Sequence, residues 1–382
     1  MKKVIDFLKK ELMLTVAVLA AAVSLFISPP NADLLKSIDW RTLVTLFMML
    51  TVLEGFKKEN IFRPILKVAE KIGGIVGLSF FLVFGVFFSS MFVTNDVSLI
   101  IFVPLTIILF RSGGKEKYIL PVITMENIAA IRGSLLLPFG SPQNLFLYGK
   151  SGVSAGLFIL HMSPLWVSSA ILLSIFILVL YRKNTKEKIE WQGNVTEAWN
   201  PKRKRKRQRL VYLCLFVMIL LTILTRTQYY LGVAAVVLCT VLVFDRQILI
   251  KTDYVLILTF FCFFVFSSSI AANGQISSFL TSSVGNREYV WGILLSQLIS
   301  NVPASIVLYP FTKNLAALLY GVDTAGLCSL IGSLASVINY RIYVREYPKN
   351  GMKFIKTFTL ISLAFFIIVA VPGFLISKYW TF

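Results

Sequence analysis

The chain has 382 residues, of which 57% are hydrophobic and 15% are charged, and its formal net charge is +20. Its mean hydropathy of +0.79 excludes a water-soluble globular protein, because such a chain has too little polar surface to face water. Apolar stretches of about twenty residues, the length that spans a bilayer, recur from end to end. The composition therefore predicts an all-α polytopic membrane protein without a separate soluble domain.

The positive charge is concentrated in short loops, and its densest run extends from Lys202 to Arg207. Short cytoplasmic loops of membrane proteins carry an excess of Lys and Arg. The run therefore predicts a cytoplasmic loop and does not indicate nucleic-acid binding, while attraction of the same run to anionic lipid headgroups stays open.

Apolar segments follow one another along the chain, at 12–27, 38–55, 74–93, 97–112, 118–137, 143–160, 164–181, 210–225, 228–245, 253–272, 289–300, 302–320, 322–340 and 356–376. The one long hydrophilic stretch, 182–209, predicts a linker between a first membrane repeat, 1–181, and a second, 210–382. Segment 210–225 has no mate in the first repeat.

Two polar phrases occur in the same order in both halves, inside strongly apolar sequence. In the first half they are Thr94-Asn95-Asp96 and Gly140-Ser141-Pro142-Gln143-Asn144, and in the second half Ser300-Asn301-Val302-Pro303 and Gly332-Ser333-Leu334-Ala335-Ser336. Polar residues, Gly and Pro in this setting predict helices that are broken at membrane depth. Paired broken helices in two halves are typical of the binding site of a secondary transporter. The first half has about fourteen more residues between its phrases than the second, and the sequence does not place them.

Lys and Arg orient the two halves. Basic loops flank the segment pair 74–112, which predicts a hairpin that starts and ends inside, with Thr94-Asn95-Asp96 at its tip. The loops around 289–320 are poor in Lys and Arg, which predicts a second hairpin that enters from outside. The unmatched segment 210–225 adds one further membrane crossing, which inverts the orientation of the second repeat relative to the first. The N-terminus is then cytoplasmic and the C-terminus extracytoplasmic.

The polar residues of these phrases have a structural interpretation and a functional one. Thr, Ser, Asn and Asp are ordinary N-cap residues, so capping alone accounts for their types. A helix that starts at membrane depth also presents free N–H groups and a positive dipole end to an anion, and unwound carbonyls to a cation such as Na⁺. The second interpretation is favoured because the feature occurs twice.

Four ionisable residues are embedded in apolar sequence: Asp96, Glu126, Arg132 and Asp323. Asp96 is predicted to carry a proton or bind a cation, with an interfacial cap as the alternative. Arg132 is expected either to be the counter-charge of an anionic substrate or to form an ion pair with Glu126 or Asp96.

The predicted substrate-binding residues are Thr94, Asn95, Arg132, Gly140, Ser141, Gln143, Asn144, Ser300, Asn301, Gly332 and Ser333. The predicted coupling-ion residues are Asp96, Asn95, Asn301 and Asp323, with a possible Na⁺ near Asn95 and Asn301. No catalytic residue and no cofactor is expected beyond a coupling Na⁺ or H⁺. The sequence has no G-x-x-x-x-G-K-[S/T] loop, so the chain does not hydrolyse ATP through such a loop, and it has no H-E-x-x-H or G-x-S-x-G motif of a hydrolase.

Together the four phrases, with Gly133-Ser134 between the first two, resemble the motifs of the ion transporter superfamily. That group includes citrate-transporter-like proteins, arsenite/antimonite permeases, divalent anion/sodium symporters and some Na⁺/H⁺ antiporters. The resemblance implies two inverted-topology repeats, each with a re-entrant hairpin and a broken helix. It also implies a site between the hairpin tips and the breaks, and elevator-type motion in a homodimer.

The phrases depart from those of the dicarboxylate symporters in this group, which carry Ser-Asn-Thr at both tips. Here Asp96 and Val302 stand at the third position. A carboxylate repels a dicarboxylate and Val302 donates no hydrogen bond, so the permease and antiporter branches are favoured. Relatives often have Asn where Ile131 and Asp323 stand, and an apolar residue in place of Arg132.

The sequence thus predicts an ion-coupled secondary transporter that moves a small anion or oxyanion across the cytoplasmic membrane by alternating access. A Na⁺/H⁺-type cation antiporter and the membrane subunit of an ATP-driven oxyanion efflux pump are the alternatives.

Overall fold

The computed structural model describes residues 11–30, 32–59, 68–69, 71–185, 187–189 and 206–379. Within these ranges the chain forms α-helices and short 3-10 helices and no β-strand, which confirms the predicted all-α class. Six of the described helices are long and apolar enough to span a membrane. Most of the basic run, 202–205, lies outside the described residues.

The described helices are numbered here in chain order. They are α1 Leu12–Ile27, α2 Ala32–Ser37, α3 Trp40–Lys58, α4 Ile75–Val93, α5 Asn95–Ser112, α6 Ile119–Gly133, α7 Pro142–Ser151, α8 Ala155–Leu180, α9 Lys206–Thr225, α10 Tyr230–Asp245, α11 Gln247–Lys251, α12 Tyr254–Ala272, α13 Gly274–Val284, α14 Glu288–Ile299, α15 Asn301–Leu308, α16 Leu315–Ala325, α17 Leu334–Glu346 and α18 Gly351–Tyr379.

Two predicted segment boundaries are wrong in the first half. The predicted segments 143–160 and 164–181 are instead the short helix α7 and the long helix α8. The left-handed residue Gly152 ends α7, and the Ser154 hydroxyl caps α8 by accepting from the Leu157 N–H. Pro164, the first residue of the predicted segment 164–181, lies inside α8. In the second half, the predicted segments 302–320 and 322–340 divide into three helices, α15, α16 and α17.

The structure also places the fourteen additional residues of the first half. Helix α5 is ten residues longer than its counterpart α15, and α6 is four residues longer than α16. The return helix of the second hairpin therefore rises only about 12 Å, against about 27 Å for the first.

Contacts between helix ends define two faces of the molecule. On one face, called the linker face because the ends next to 182–209 lie there, three ion pairs join helix ends: Lys58–Asp245, Arg111–Glu346 at 3.3 Å and Lys115–Glu187 at 2.8 Å. On the opposite face the contacts are Lys150–Asp39 at 3.0 Å, Arg226 Nη2 to Tyr148 O at 2.6 Å and Asn314 Nδ2 to Ser377 O at 3.2 Å.

The two hairpins open to opposite faces. Hairpin 1, α4 and α5, starts at Gly74, which pairs with Lys188 on the linker face, and it ends next to Lys115 there. Hairpin 2, α14 and α15, starts at Glu288, whose carboxylate accepts from the Lys313 and Asn314 N–H groups near the opposite face. The hairpins therefore enter from opposite faces, whereas which face is cytoplasmic stays a prediction. The inverted-repeat relation of the complete halves stays a prediction.

The beginning of the linker is fixed to hairpin 1. The Ile75 N–H donates to Glu187 O at 3.2 Å, while Lys115 and Tyr118 donate to the Glu187 carboxylate at 2.8 and 2.9 Å. The hydrogen bond from Lys115 contributes most to holding the pKa of Glu187 below its usual value. The base of hairpin 1 and residues 187–189 thus form one packed unit.

The helices pack in two groups. The scaffold helices are α1, α3, α9, α10 and α12; α1 lies along α12, and α9 and α10 pack on α3. The site-bearing helices are α4 to α7 and α14 to α17, with α8 and α18 packed on them. Contacts between the groups run chiefly from α12 to α15 and from α3 to α7.

Candidate functional site

The two hairpin tips share one unusual backbone conformation. Thr94 has φ 71° and ψ 158°, and Ser300 has φ 71° and ψ 159°. L-residues rarely adopt this region, which is almost restricted to Gly. Each residue stands at the N-cap position of the returning helix, but neither side chain makes a cap hydrogen bond. The expectation that Thr94 and Ser300 cap these helices with their side chains is therefore wrong.

The two helix breaks also match. Break 1, residues 134–141, separates α6 from α7, and break 2, residues 326–333, separates α16 from α17. The residues before the restarting helices, Ser141 and Ser333, both have φ −147°. Each break exposes backbone carbonyls at membrane depth, where an unpaired carbonyl costs several kcal/mol. Asn144 Nδ2 satisfies two of them in break 1, since it donates to Ser134 O and Leu135 O at 3.2 and 3.4 Å.

A glycine in each break allows its backbone to pack closely against the end of the preceding helix. A Cβ on Gly140 would lie 2.2 Å from Ser134 O, and a Cβ on Gly332 would lie 2.4 Å from Ala325 O. Both breaks therefore fold back on the end of the preceding helix. Break 2 also contacts hairpin 2, because the Asn301 N–H donates to Gly332 O at 3.1 Å.

Both tips and both breaks meet at one small pocket. It is lined by Asn95, Asp96, Pro142, Leu256, Asn301, Val302, Ser333 and Leu334. Asn95, Pro142, Asn301 and Leu334 are the first residues of α5, α7, α15 and α17. Four helix N-termini, two from each half of the chain, thus start at this pocket.

The electrostatics of the pocket combine four positive helix ends with one carboxylate. An N-terminus carries about half a positive charge, and its first N–H groups have no partner within the helix. Asp96, which is half-buried, is the one charged side chain among the described residues that line the pocket. Its Oδ1 has no hydrogen-bond partner, and the charges of Asp253 and Lys57 act on it.

The two tip asparagines differ in their partners. Asn95 Oδ1 accepts from the Asp96 N–H at 2.9 Å, so this side chain is engaged within its own tip. Asn301 is buried, and its Nδ2 group has no partner. The pocket thus contains one unpaired amide donor and one unpaired carboxylate oxygen, which suit an anion and a cation respectively. In the described part of the chain no group of three or more His, Cys, Asp or Glu side chains is arranged to hold a metal ion.

Three predicted site residues lie together outside the pocket lining. Gln143 Nε2 donates to Asp323 Oδ1 at 2.9 Å, which joins α7 of the first half to α16 of the second. The charge of Asp323 acts on the fully buried Arg132, but the two groups are too far apart for a salt bridge. Arg132 Nε donates to Ser169 Oγ at 2.8 Å, and both terminal nitrogens have no partner.

Arg132 does not form either ion pair that the sequence suggests. Among the described residues, it has no salt bridge with Glu126 or Asp96. Glu126 instead accepts a hydrogen bond from Thr106. A substrate contact by Arg132 stays a prediction, since this side chain lies behind the pocket rather than in its wall.

Of the predicted site residues, four line the pocket: Asn95, Asp96, Asn301 and Ser333. Thr94, Gly140, Ser141, Asn144, Ser300 and Gly332 shape the tips and breaks immediately next to it. Sequence reasoning missed Leu256, an apolar residue of the scaffold helix α12 that closes one wall. Nothing in an apolar run distinguishes such a residue from its neighbours.

The paired hairpins, paired breaks and shared pocket define the chain as a membrane transporter. A model of the citrate transporter family, CitMHS, matches residues 4–332, and the chain belongs to this family. This finding confirms the resemblance that the four phrases indicated.

Two relatives and one solved structure extend the comparison. The inner membrane protein YbiR of Escherichia coli is 32% identical over 315 residues, which are 80% of each chain. An uncharacterized transporter of Methanocaldococcus jannaschii is 30% identical over 308 residues, 80% of this chain and 81% of the relative. The YdaH transporter of Alcanivorax borkumensis matches 96% of both chains, with a TM-score of 0.48 and 13% identity.

Proposed function

We propose that this protein is an ion-coupled secondary transporter that moves a small anion or oxyanion across the cytoplasmic membrane by alternating access. The observation that carries the proposal is the convergence of four helix N-termini on one pocket. Aligned N–H groups and positive dipole ends bind anions without a basic side chain. The unpaired Asn301 amide adds a donor at the same place.

Coupling is assigned to Asp96. An ionised carboxylate beside a bound anion repels it, so the anion binds best when Asp96 is neutralised by a proton or by Na⁺. Anion and coupling ion then bind together, and each strengthens the binding of the other by linkage. The oxygens of Asp96 and of the nearby amides are ligands that suit Na⁺.

A Na⁺/H⁺-type cation antiporter is the second candidate. One specific observation favours it: the one charged side chain that lines the pocket, among the described residues, is acidic. In that case the four helix N-termini serve only to close the pocket, and transport requires no anion.

The test is transport by purified protein in proteoliposomes under separately imposed pH and Na⁺ gradients. Labelled citrate, succinate, phosphate and arsenite are offered in turn. At least one anion is expected to accumulate saturably. Asn301→Ala is expected to lower anion transport per folded molecule at least about tenfold, which corresponds to about 1.4 kcal/mol. Asp96→Asn is expected to abolish gradient-driven accumulation while counterflow exchange persists.

The matched control is Asn273→Ala. Asn273 also stands at a helix start, where its side chain accepts from the Ile276 N–H at 3.1 Å, but it is far from the pocket lining. Its loss should cost about 1 kcal/mol of stability and leave transport intact. Exchange of Na⁺ for H⁺ without movement of any anion would instead establish the antiporter.

We infer that the linker face is cytoplasmic and that the C-terminus is extracytoplasmic. The support is the excess of Lys and Arg on the linker face. Reporter fusions in the 182–209 linker and after Phe382 test this orientation in a bacterial host. A cytoplasmic signal from the C-terminal fusion would contradict it.

A further inference from the structure

A second buried polar group lies outside the pocket, where α5, α6 and α17 pack together. It consists of Thr106, Glu126, Asn127, Ser336 and Asn339, and is called here the Glu126 cluster. All five side chains have no solvent exposure. Burial of this much polar surface at membrane depth is costly and indicates a function rather than simple packing.

The side-chain atoms of the cluster that have no hydrogen-bond partner at all are acceptors. The Thr106 hydroxyl donates to Glu126 Oε1. Asn127 Nδ2 donates to Ser336 Oγ at 3.0 Å, and Asn339 Nδ2 donates to the Ile123 carbonyl at 2.7 Å. The atoms without a partner are Glu126 Oε2, Asn127 Oδ1 and Asn339 Oδ1.

No cation compensates Glu126 within the described residues. Helix α4 has no titratable side chain. The titratable residues on α6 itself and on the other elements packed around it, including the 3-10 helix Glu116–Tyr118, are Asp96, Arg111, Glu116, Lys117, Tyr118, Arg132, His161, Tyr340, Arg341, Tyr343, Arg345, Glu346, Lys353, Lys356, Lys378 and Tyr379. Thr106 provides the one hydrogen bond that Glu126 receives, and Arg111 pairs with Glu346 at the linker face.

An ionised carboxylate in such a place is strongly unfavourable, because it is removed from water and has no counter-charge. A neutral carboxylic acid removes the charge and supplies an O–H donor beside the unpaired acceptor atoms of the cluster. Protonation therefore removes the uncompensated charge that burial makes unfavourable.

We propose that Glu126 is a proton-binding site, separate from the pocket, that exchanges its proton with the linker face during transport. The carboxylate takes one proton from water on that face to become a carboxylic acid and returns it in a later step of the cycle. This inference rests on the proposed transport function, which it deepens by naming H⁺ as a coupling ion.

The position of the cluster fits this role. Helix α6 begins at the linker face, and Glu126 lies seven residues further on, a rise of about 10 Å. On the other side, Ser336 follows Ser333 of the pocket lining by about one helical turn. One side-chain hydrogen bond thus joins the first turn of α17, next to the pocket, to Asn127, the neighbour of Glu126 in sequence. A movement of break 2 can in this way alter the surroundings of Glu126.

The first test does not depend on transport. Infrared spectra of the protein in lipid are recorded for the wild type, Glu126→Gln and Glu288→Gln at neutral pH. The C=O band of a protonated carboxylic acid is expected in the wild type and in Glu288→Gln, and its Glu126 component is expected to be absent from Glu126→Gln. Glu288 is the matched control, since it is also buried but its carboxylate accepts from two backbone N–H groups. An identical band in all three proteins would overturn the proposal, and so would loss of the wild-type band on addition of Na⁺.

The second test measures coupling in proteoliposomes. With a pH gradient as the sole driving force, accumulation by Glu126→Gln is expected to fall to the level of passive equilibration, while counterflow exchange persists. Full gradient-driven accumulation by Glu126→Gln would refute the coupling role. If the wild type transports no anion at all, the proposed function fails, whereas the infrared result still decides whether Glu126 holds a proton.

Discussion

At the scale of single residues, the most informative feature is the strained backbone at the hairpin tips. Thr94 and Ser300 have the same positive φ and nearly the same ψ, although one tip belongs to each half of the chain. A non-Gly residue in this region costs about 1–3 kcal/mol and persists only where its surroundings fix it. The strain is thus a shared property of the two tips that position Asn95 and Asn301.

Replacement of Ser300 by Gly tests this strain. Ser300→Gly is expected to raise the thermal stability, because relief of the strain outweighs the about 0.5–1 kcal/mol of extra backbone entropy that Gly loses on folding. It is also expected to weaken substrate affinity, since the tip becomes less rigid. Thermal melting and transport kinetics of the purified variant measure the two effects.

The control for this variant is Ser278→Gly, in the middle of the ordinary helix α13. A Gly there should lower stability by about 0.5–1 kcal/mol. Equal losses of stability in both variants would show that Ser300 is not strained.

The sequence predicts which types of residue form the site, but it does not predict the directions of their side chains. Polar residues that interrupt apolar sequence revealed Asn95, Asp96, Asn301 and Ser333, which the pocket brings together. Leu256 gave no signal because an apolar wall residue and a lipid-facing residue have the same chemistry. The direction of a side chain such as Arg132 depends on packing between helices that lie far apart in sequence.

At the scale of elements, small residues allow the hairpins to pack closely against the broken helices. A Cβ on Gly133 of α6 would lie 2.0 Å from Phe87 O of α4, and a Cβ on Gly321 of α16 would lie 2.4 Å from Tyr289 O of α14. A backbone contact of the same kind therefore occurs in both halves, about one helical turn further from the tip in the second half. Close helix approach through Gly is a common means of association within membranes.

Gly133→Ala is expected to push α4 and α6 apart and to reduce stability by at least about 1–3 kcal/mol, as overpacking does. Gly149→Ala is the matched control, because the space around Gly149 in α7 is open, and it should be neutral or stabilise by up to about 1 kcal/mol. Thermal melting in detergent measures both. Similar melting temperatures for the two variants would contradict the packing argument.

Element identities followed from the sequence more reliably than element ends. The caps Asp39 and Asp253 lie at the starts of the predicted segments 38–55 and 253–272 and accept from the Thr42 and Leu256 N–H groups at 2.9 and 3.0 Å. The end predicted at residue 160 is wrong, because α8 continues through Pro164, and a membrane helix tolerates Pro where neighbouring groups compensate for the lost hydrogen bond.

At the scale of the whole molecule, the division into scaffold and site-bearing helices indicates which contacts the proposed alternating access would have to break. On the opposite face, the site-bearing helix α7 is fastened to the scaffold at two points. Lys150 pairs with Asp39 at the start of α3, and Arg226, just beyond α9, lies 4.0 Å from the Tyr148 ring and donates to the Tyr148 carbonyl. If the proposed alternating access moves the pocket from one face to the other, these contacts have to break.

The ion pair between Arg111 and Glu346 provides a comparison within the site-bearing group. It joins α5 to α17 on the linker face at 3.3 Å. If hairpin 1 and the broken helix of the second half move as one body, this contact persists throughout the cycle. A cross-link in place of the Lys150–Asp39 ion pair is therefore expected to block transport, whereas one in place of the Arg111–Glu346 ion pair is not.

Cysteine pairs distinguish the two cases in a background in which Cys214, Cys239, Cys262 and Cys328 are replaced. Asp39→Cys with Lys150→Cys, linked by a cleavable bifunctional thiol reagent, is expected to stop transport, and reduction of the link is expected to restore it. Arg111→Cys with Glu346→Cys, linked by the same reagent, is expected to leave transport unchanged, because both helices belong to the moving group. Transport rates of fully linked protein in proteoliposomes measure both outcomes. Full activity of the linked 39–150 pair would mean that the pocket changes its accessible face without relative motion of α3 and α7, and inhibition by both links would mean that the site-bearing helices rearrange internally.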